Sequence, residues 1–156
     1  MTTAEKSTSA KQIIEQKRAR HALENVYVVA KNYPKGSDDR KSFVSCVENL
    51  PAAILNNGLG QAVATLLAKA KGEINTPEYI IYNILEEWLC RDDSTAPYNR
   101  TRDNTKNLLM NCIVNGSRSS YIKAQIEALS YLEWLKKFTV AFLKEPDKKE
   151  KDKKGD

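Results

Sequence analysis

The chain is 156 residues long, 41% hydrophobic and 29% charged, with 25 Lys and Arg against 20 Asp and Glu for a formal net charge of +5. That length fits one domain around one core, and no apolar run approaches the roughly 20 residues that a membrane helix requires. The opening residues are polar and charged with no apolar leader segment, so a cytoplasmic, non-membrane protein is expected.

Periodicity gives six helical segments and no strand, which predicts an all-α class and a single-domain bundle. The expected organisation is a flexible N-terminus over 1–8, a helical bundle over 9–145 and a charged, disordered tail over 146–156. A first helix is expected from about Ser9 to Tyr33, stopped by Pro34 and Gly36. At 100° per residue its apolar stripe holds Ala19, Ala22, Leu23, Val26, Val29, Ala30 and Tyr33. Lys17, Arg20, His21, Glu24 and Lys31 fall on the far side, with Arg18 at the border.

A second helix begins at Ser37 or Asp38 and runs to Asn56, with Pro51 either kinking it or opening a separate short helix. Asn57-Gly58 then forces a tight turn into a third helix, Leu59 to about Lys71. Thr76-Pro77-Glu78 supplies a capping hydroxyl, a proline in the first turn and an acid at the positive end of the dipole, so a fourth helix is expected from there to about Arg91. The loop through Pro97 precedes a fifth helix, about Arg102 to Val114, closed by Asn115-Gly116. The sixth and longest spans about Ser119 to Lys144, with Ala124, Ala128, Tyr131, Leu132, Leu135, Phe138 and Phe142 in its buried stripe. The short connections predict antiparallel neighbours, with the long first and last helices framing the bundle.

Groups that carry catalysis are scarce. His21 is the one histidine, so a metal cluster or a His-activated nucleophile has little to draw on. Glu86-Glu87 and Asp92-Asp93 are adjacent pairs, whose members point about 100° apart on a helix and do not share a face. Gly58-Leu59-Gly60 follows no strand and is read as a turn rather than a phosphate loop. Trp88 and Trp134 are read as core rather than as base-stacking platforms. Cys46, Cys90 and Cys112 are widely spaced in apolar sequence and read as packed thiols. No cofactor, no metal and no small-molecule substrate are expected, and the chain is read as a non-enzyme. What is left is the basic face of the first helix, joined by Lys123 and Lys137 on the last.

Three segments in fixed order resemble the small all-helical subunit of type III-B CRISPR RNA-silencing (Cmr) complexes. They are Gln16-Lys17-Arg18-Ala19, Leu50-Pro51-Ala52 running into Asn57-Gly58-Leu59-Gly60-Gln61, and Tyr131-Leu132-Glu133-Trp134-Leu135-Lys136-Lys137-Phe138, and the resemblance covers residues 10–143. It implies a non-catalytic subunit that stacks into a short filament, partnered by other Cmr subunits and further copies of itself. It also implies contact with the crRNA–target RNA duplex or the target strand in antiviral defence, with Lys17, Arg18, Arg20, His21, Lys123, Lys136 and Lys137 as the nucleic-acid-binding candidates. The competing reading is a stand-alone helical DNA-binding regulator, in which Gln61, Thr65 and Lys69 would face DNA from the third helix.

Overall fold

A computed structural model describes residues 2–99 and 105–147. Six helices follow in order: α1 (Thr3–Asn32), α2 (Asp38–Asn57), α3 (Leu59–Ala70), α4 (Pro77–Leu89), α5 (Leu108–Asn115) and α6 (Arg118–Phe142), with no strand among the described residues. The expected all-α class is the observed one. The expected tail beyond Asp147 lies outside the described residues.

Side chains start the helices, Ser37 and Thr76 at predicted positions and Ser117 two residues ahead of the expected Ser119. Ser37 accepts from the Arg40 amide, Thr76 from Tyr79 with Pro77 in the first turn, and Ser117 from Ser120. α1 starts at Thr3, ahead of the expected Ser9. Pro51 lies inside an unbroken α2, which settles the choice between a kinked helix and two short ones. α5 is shorter than expected, because Asn107 adopts a left-handed conformation at φ 55° and the helix begins only at Leu108. Its first amides are satisfied from α4, Leu109 N–H by Glu86 Oε2 at 2.9 Å and Met110 N–H by Tyr82 Oη at 3.1 Å.

The framing role expected for the first and last helices is corrected. α6 is central: it packs against α1 on one side and α2, α3 and α4 on the other. α1 runs parallel to it, since Arg18 meets Glu127, His21 meets Tyr131 and Tyr27 meets Phe142 in rising order. α2 runs antiparallel to α6, with Arg40 at Leu143 and the α2–α3 turn at Gln125. Both predicted stripes are core for most of their length: Ala22, Val26, Val29 and Tyr33 from α1, and Ala124, Ala128, Tyr131, Leu132 and Leu135 from α6 are buried. Ala19, Leu23, Ala30 and Phe138 are half-buried, Phe142 is 47% exposed, and Thr139 takes the buried position in its place.

Two polar devices hold α6 in register. Buried Arg40 donates to the carbonyls of Tyr33, Phe142 and Leu143, which gathers the open C-terminal ends of α1 and α6 on one guanidinium. At the other end, Gly58 turns the chain at φ 84°, Leu59 N–H donates to Gln125 Oε1 at 3.0 Å and Gly60 N–H to Tyr121 Oη at 3.0 Å. The N-terminus of α3 is therefore capped by α6 rather than by its own sequence.

Candidate nucleic-acid interface

The seven sequence-predicted site residues divide into two groups. Arg18 and His21 turn inward, into a polar cluster where α1, α4 and α6 meet. Arg18 Nη2 lies 2.7 Å from Glu127 Oε2 and its Nε 2.8 Å from Glu127 Oε1, and Glu15 accepts from Nη1. Glu127 also accepts from the buried Trp88 indole Nε1–H at 2.8 Å. Burial pushes the Glu127 carboxyl up, but the bonds from Arg18 and Trp88 outweigh it and hold the group below its ordinary value. The same pairing with Glu127 raises Arg18.

The Trp88 ring is held by two neighbours. Arg91 places its guanidinium carbon 3.9 Å from the ring centroid, and Tyr131 stacks with it at 5.3 Å and 18° between planes. His21 sits edge-on to Tyr131 with Nδ1 2.6 Å from the Tyr131 hydroxyl, while Nε2 faces Glu87 at 3.4 Å. The expectation that His21 projects from the far side of the first helix is thus corrected: at its position the ring reaches α4 and α6 instead of water. Trp88 is core, as expected.

Lys17 lies at the edge of this cluster, its Nζ 3.4 Å from Asp93 Oδ2. Asp93 closes the turn after α4 by accepting from the Thr95 amide and hydroxyl, both at 2.8 Å, and Arg91 Nε lies 3.6 Å from Asp93 Oδ2. The Thr95 amide bond, then its hydroxyl, hold the Asp93 carboxyl far below the usual range. The Glu86-Glu87 pair is employed in the same way, Glu86 on α5 and Glu87 toward His21, and no group of three or more metal-ligating side chains occurs among the described residues.

Arg20, Lys123, Lys136 and Lys137 form the second group. All four are exposed, and none has a carboxylate partner among the described residues. Lys136 and Lys137 line a shallow depression with Glu133, Val140 and Ala141. Lys31 on α1 is exposed in the same way, a cation the sequence placed on the outer face but not among the candidates. Such groups bind anions without reorganising the core, whereas Arg18 can do so only by leaving Glu127. On α3, Gln61, Thr65 and Lys69 are exposed, yet the helix start is locked beneath Tyr121 and Gln125. A helix held in that way does not present its N-terminal end to a DNA groove.

The chain is thus an all-helical bundle that exposes Arg20 on α1 and Lys123, Lys136 and Lys137 on α6. Residues 14–142 match the family model described as CRISPR-associated protein (Cas_Cmr5). The match spans most of the chain, from within α1 to the end of α6, and the chain belongs to that family, the small subunits of the Cmr type III-B system.

Proposed function

We propose that this chain is a non-catalytic subunit of a Cmr effector ribonucleoprotein, that it stacks with further copies of itself, and that it holds the target RNA strand through phosphate contacts in antiviral defence. The observation that carries the reading is the set of exposed cations on the two parallel helices, Arg20 on α1 and Lys123, Lys136 and Lys137 on α6, which lack carboxylate partners among the described residues. Point charges of this kind position a strand without reading its bases, which suits a subunit that must accept any target its guide selects. In this proposal Lys17 contributes when it exchanges Asp93 for phosphate, while Arg18 and His21 act from beneath by fixing the spacing of α1 and α6.

Co-purification tests membership in the assembly: a tagged chain is expected to bring down a crRNA-containing complex, and a tag that returns the chain alone counts against it. The RNA role is tested by reversing Arg20, Lys123, Lys136 and Lys137 to Glu and reconstituting the complex. Retention of two unrelated target strands is expected to fall together. Unchanged retention of both removes the RNA role from these helices.

A further inference from the structure

A row of aromatic rings runs along the seam between α1 and α6. Trp134, Phe138, Phe142 and Tyr27 follow one another with centroid separations of 5.7, 6.3 and 5.6 Å. Trp134 and Phe138 are half-buried and form the floor of the row, while Phe142 is 47% and Tyr27 53% exposed. The Trp134 ring is fixed in place, because its Nε1–H donates to Glu15 Oε2 at 3.0 Å. Two rings about half open to water cost hydration free energy that a folded core would recover, and their place at the end of an ordered row is therefore informative.

The surroundings of the row indicate what it meets. On α1, Arg20 lies two turns before Tyr27 and Lys31 one turn after it, so all three share a face. On α6, Lys137 stands about 60° around the helix from Trp134, to one side of the row. None of these cations has a carboxylate partner among the described residues, while of the nearby acids Glu15 is engaged by Arg18 and Trp134 and Glu24 and Glu133 stand exposed beside the strip. Half-exposed rings accompanied by uncommitted cations are the composition that holds single-stranded nucleic acid: bases stack on the rings while the backbone lies on the charges. A protein partner would instead favour an apolar patch whose border charges are matched in sign to its own.

We infer that the Trp134–Phe138–Phe142–Tyr27 row is a stacking surface for unpaired bases of a single RNA strand whose phosphates lie on Arg20, Lys31 and Lys137. The inference rests on the RNA-holding role proposed above and adds to it a contact that salt does not screen. Because every base has a π-face, such a surface stays indifferent to sequence while fixing where along the seam the bases lie.

The test uses the full chain, alone and within the reconstituted complex, with a single-stranded RNA carrying 2-aminopurine at its centre and a matched strand with abasic sites at the same positions. Wild type is expected to quench 2-aminopurine and to prefer the intact strand. Tyr27→Leu and Phe142→Leu keep apolar bulk but remove the ring face, and each is expected to weaken binding at least about fivefold without changing the slope of affinity against salt. Tyr27→Phe restores the ring and is expected to bind as wild type. Thermal midpoints close to wild type are expected for all three, since both positions are half exposed.

If the leucine variants bind and quench as wild type while Arg20→Glu with Lys137→Glu loses the strand, stacking is overturned and the phosphate-holding role stands. If the charge-reversed pair also retains the strand, the underlying RNA role of this seam fails with it. Retention of RNA by the leucine variants together with dissociation of the assembled subunit would assign the row to a protein contact and overturn the inference.

Discussion

At the scale of single residues, charge type alone does not separate a binding cation from a structural one. Arg18 and Arg20 are two positions apart, yet one is bidentate to Glu127 and the other is exposed. Arg18→Glu is expected to destabilise the bundle by more than about 3 kcal/mol, since it leaves Glu127 partly buried beside a like charge, whereas Arg20→Glu should leave the thermal midpoint almost unchanged. Melting both variants side by side checks the contrast. The same cluster sets a pH dependence. Glu127 and Asp93 have folded values below their unfolded ones, so the stability they supply is complete above the ordinary carboxylate range and is lost as pH falls through the folded values. Urea midpoints measured from neutral pH downward should decline on the acid side, and Glu127→Gln should flatten that decline. A wild-type midpoint constant down to about pH 3 would contradict the assignment. Sequence periodicity put Arg18 at the border of the outer face, and the border is where a side chain reaches either way. Its partner, Glu127, is 109 residues distant, so no local pattern announced which way it would turn.

Elements were more legible than sites because their signals are local. Ser37 and Thr76-Pro77 mark helix starts by chemistry contained within one turn and cap as expected, and Ser117 caps α6 in the same way, ahead of the expected start at about Ser119. Where boundaries or packing departed from expectation, the reason was contact with another helix. α5 takes its first hydrogen bonds from α4, Phe142 turns outward against Tyr27 while Thr139 and Leu143 on either side of it are buried, and Arg40 gathers two helix ends from inside what periodicity shows only as a helix start. The α2–α3 turn joins the two kinds of information. Asn57-Gly58 is visible in sequence, but the reason glycine is needed is doubled in the fold: φ is 84°, and a Cβ there would lie 2.9 Å from the Tyr121 hydroxyl that caps α3. Gly58→Ala is accordingly expected to cost about 1–3 kcal/mol, more than a helix-interior Gly→Ala change, which is usually favourable. Pairing it with Tyr121→Phe should recover the steric part only, because the Gly60 amide then loses its acceptor.

For the whole molecule, the central place of α6 ties folding to the proposed binding surface, since the helix that carries Lys123, Lys136 and Lys137 outward also carries Leu132 and Leu135 into the core. Leu135→Ala should cost about 2–5 kcal/mol, the range for emptying a buried leucine site. Because α6 contacts α1, α2, α3 and α4, that loss should lower a single transition rather than split it. Trp88 on α4 and Trp134 on α6 report different contacts of the same bundle, so tryptophan fluorescence and far-ultraviolet circular dichroism are expected to give one midpoint, displaced equally in the variant. The surface prediction runs the other way. Reversing Arg20, Lys123, Lys136 and Lys137 touches no buried group, so the midpoint should hold while RNA affinity falls. The slope of log affinity against log salt should shrink by about 0.7 for each phosphate contact removed from a single strand. The isolated chain presents these charges once, and an assembly of copies presents them repeatedly along one strand, so the loss on reversal should be larger in the reconstituted complex than for the chain alone. Equal losses in both settings would show that each copy binds independently, and an unchanged salt slope would show that the reversed residues were never on the phosphate path.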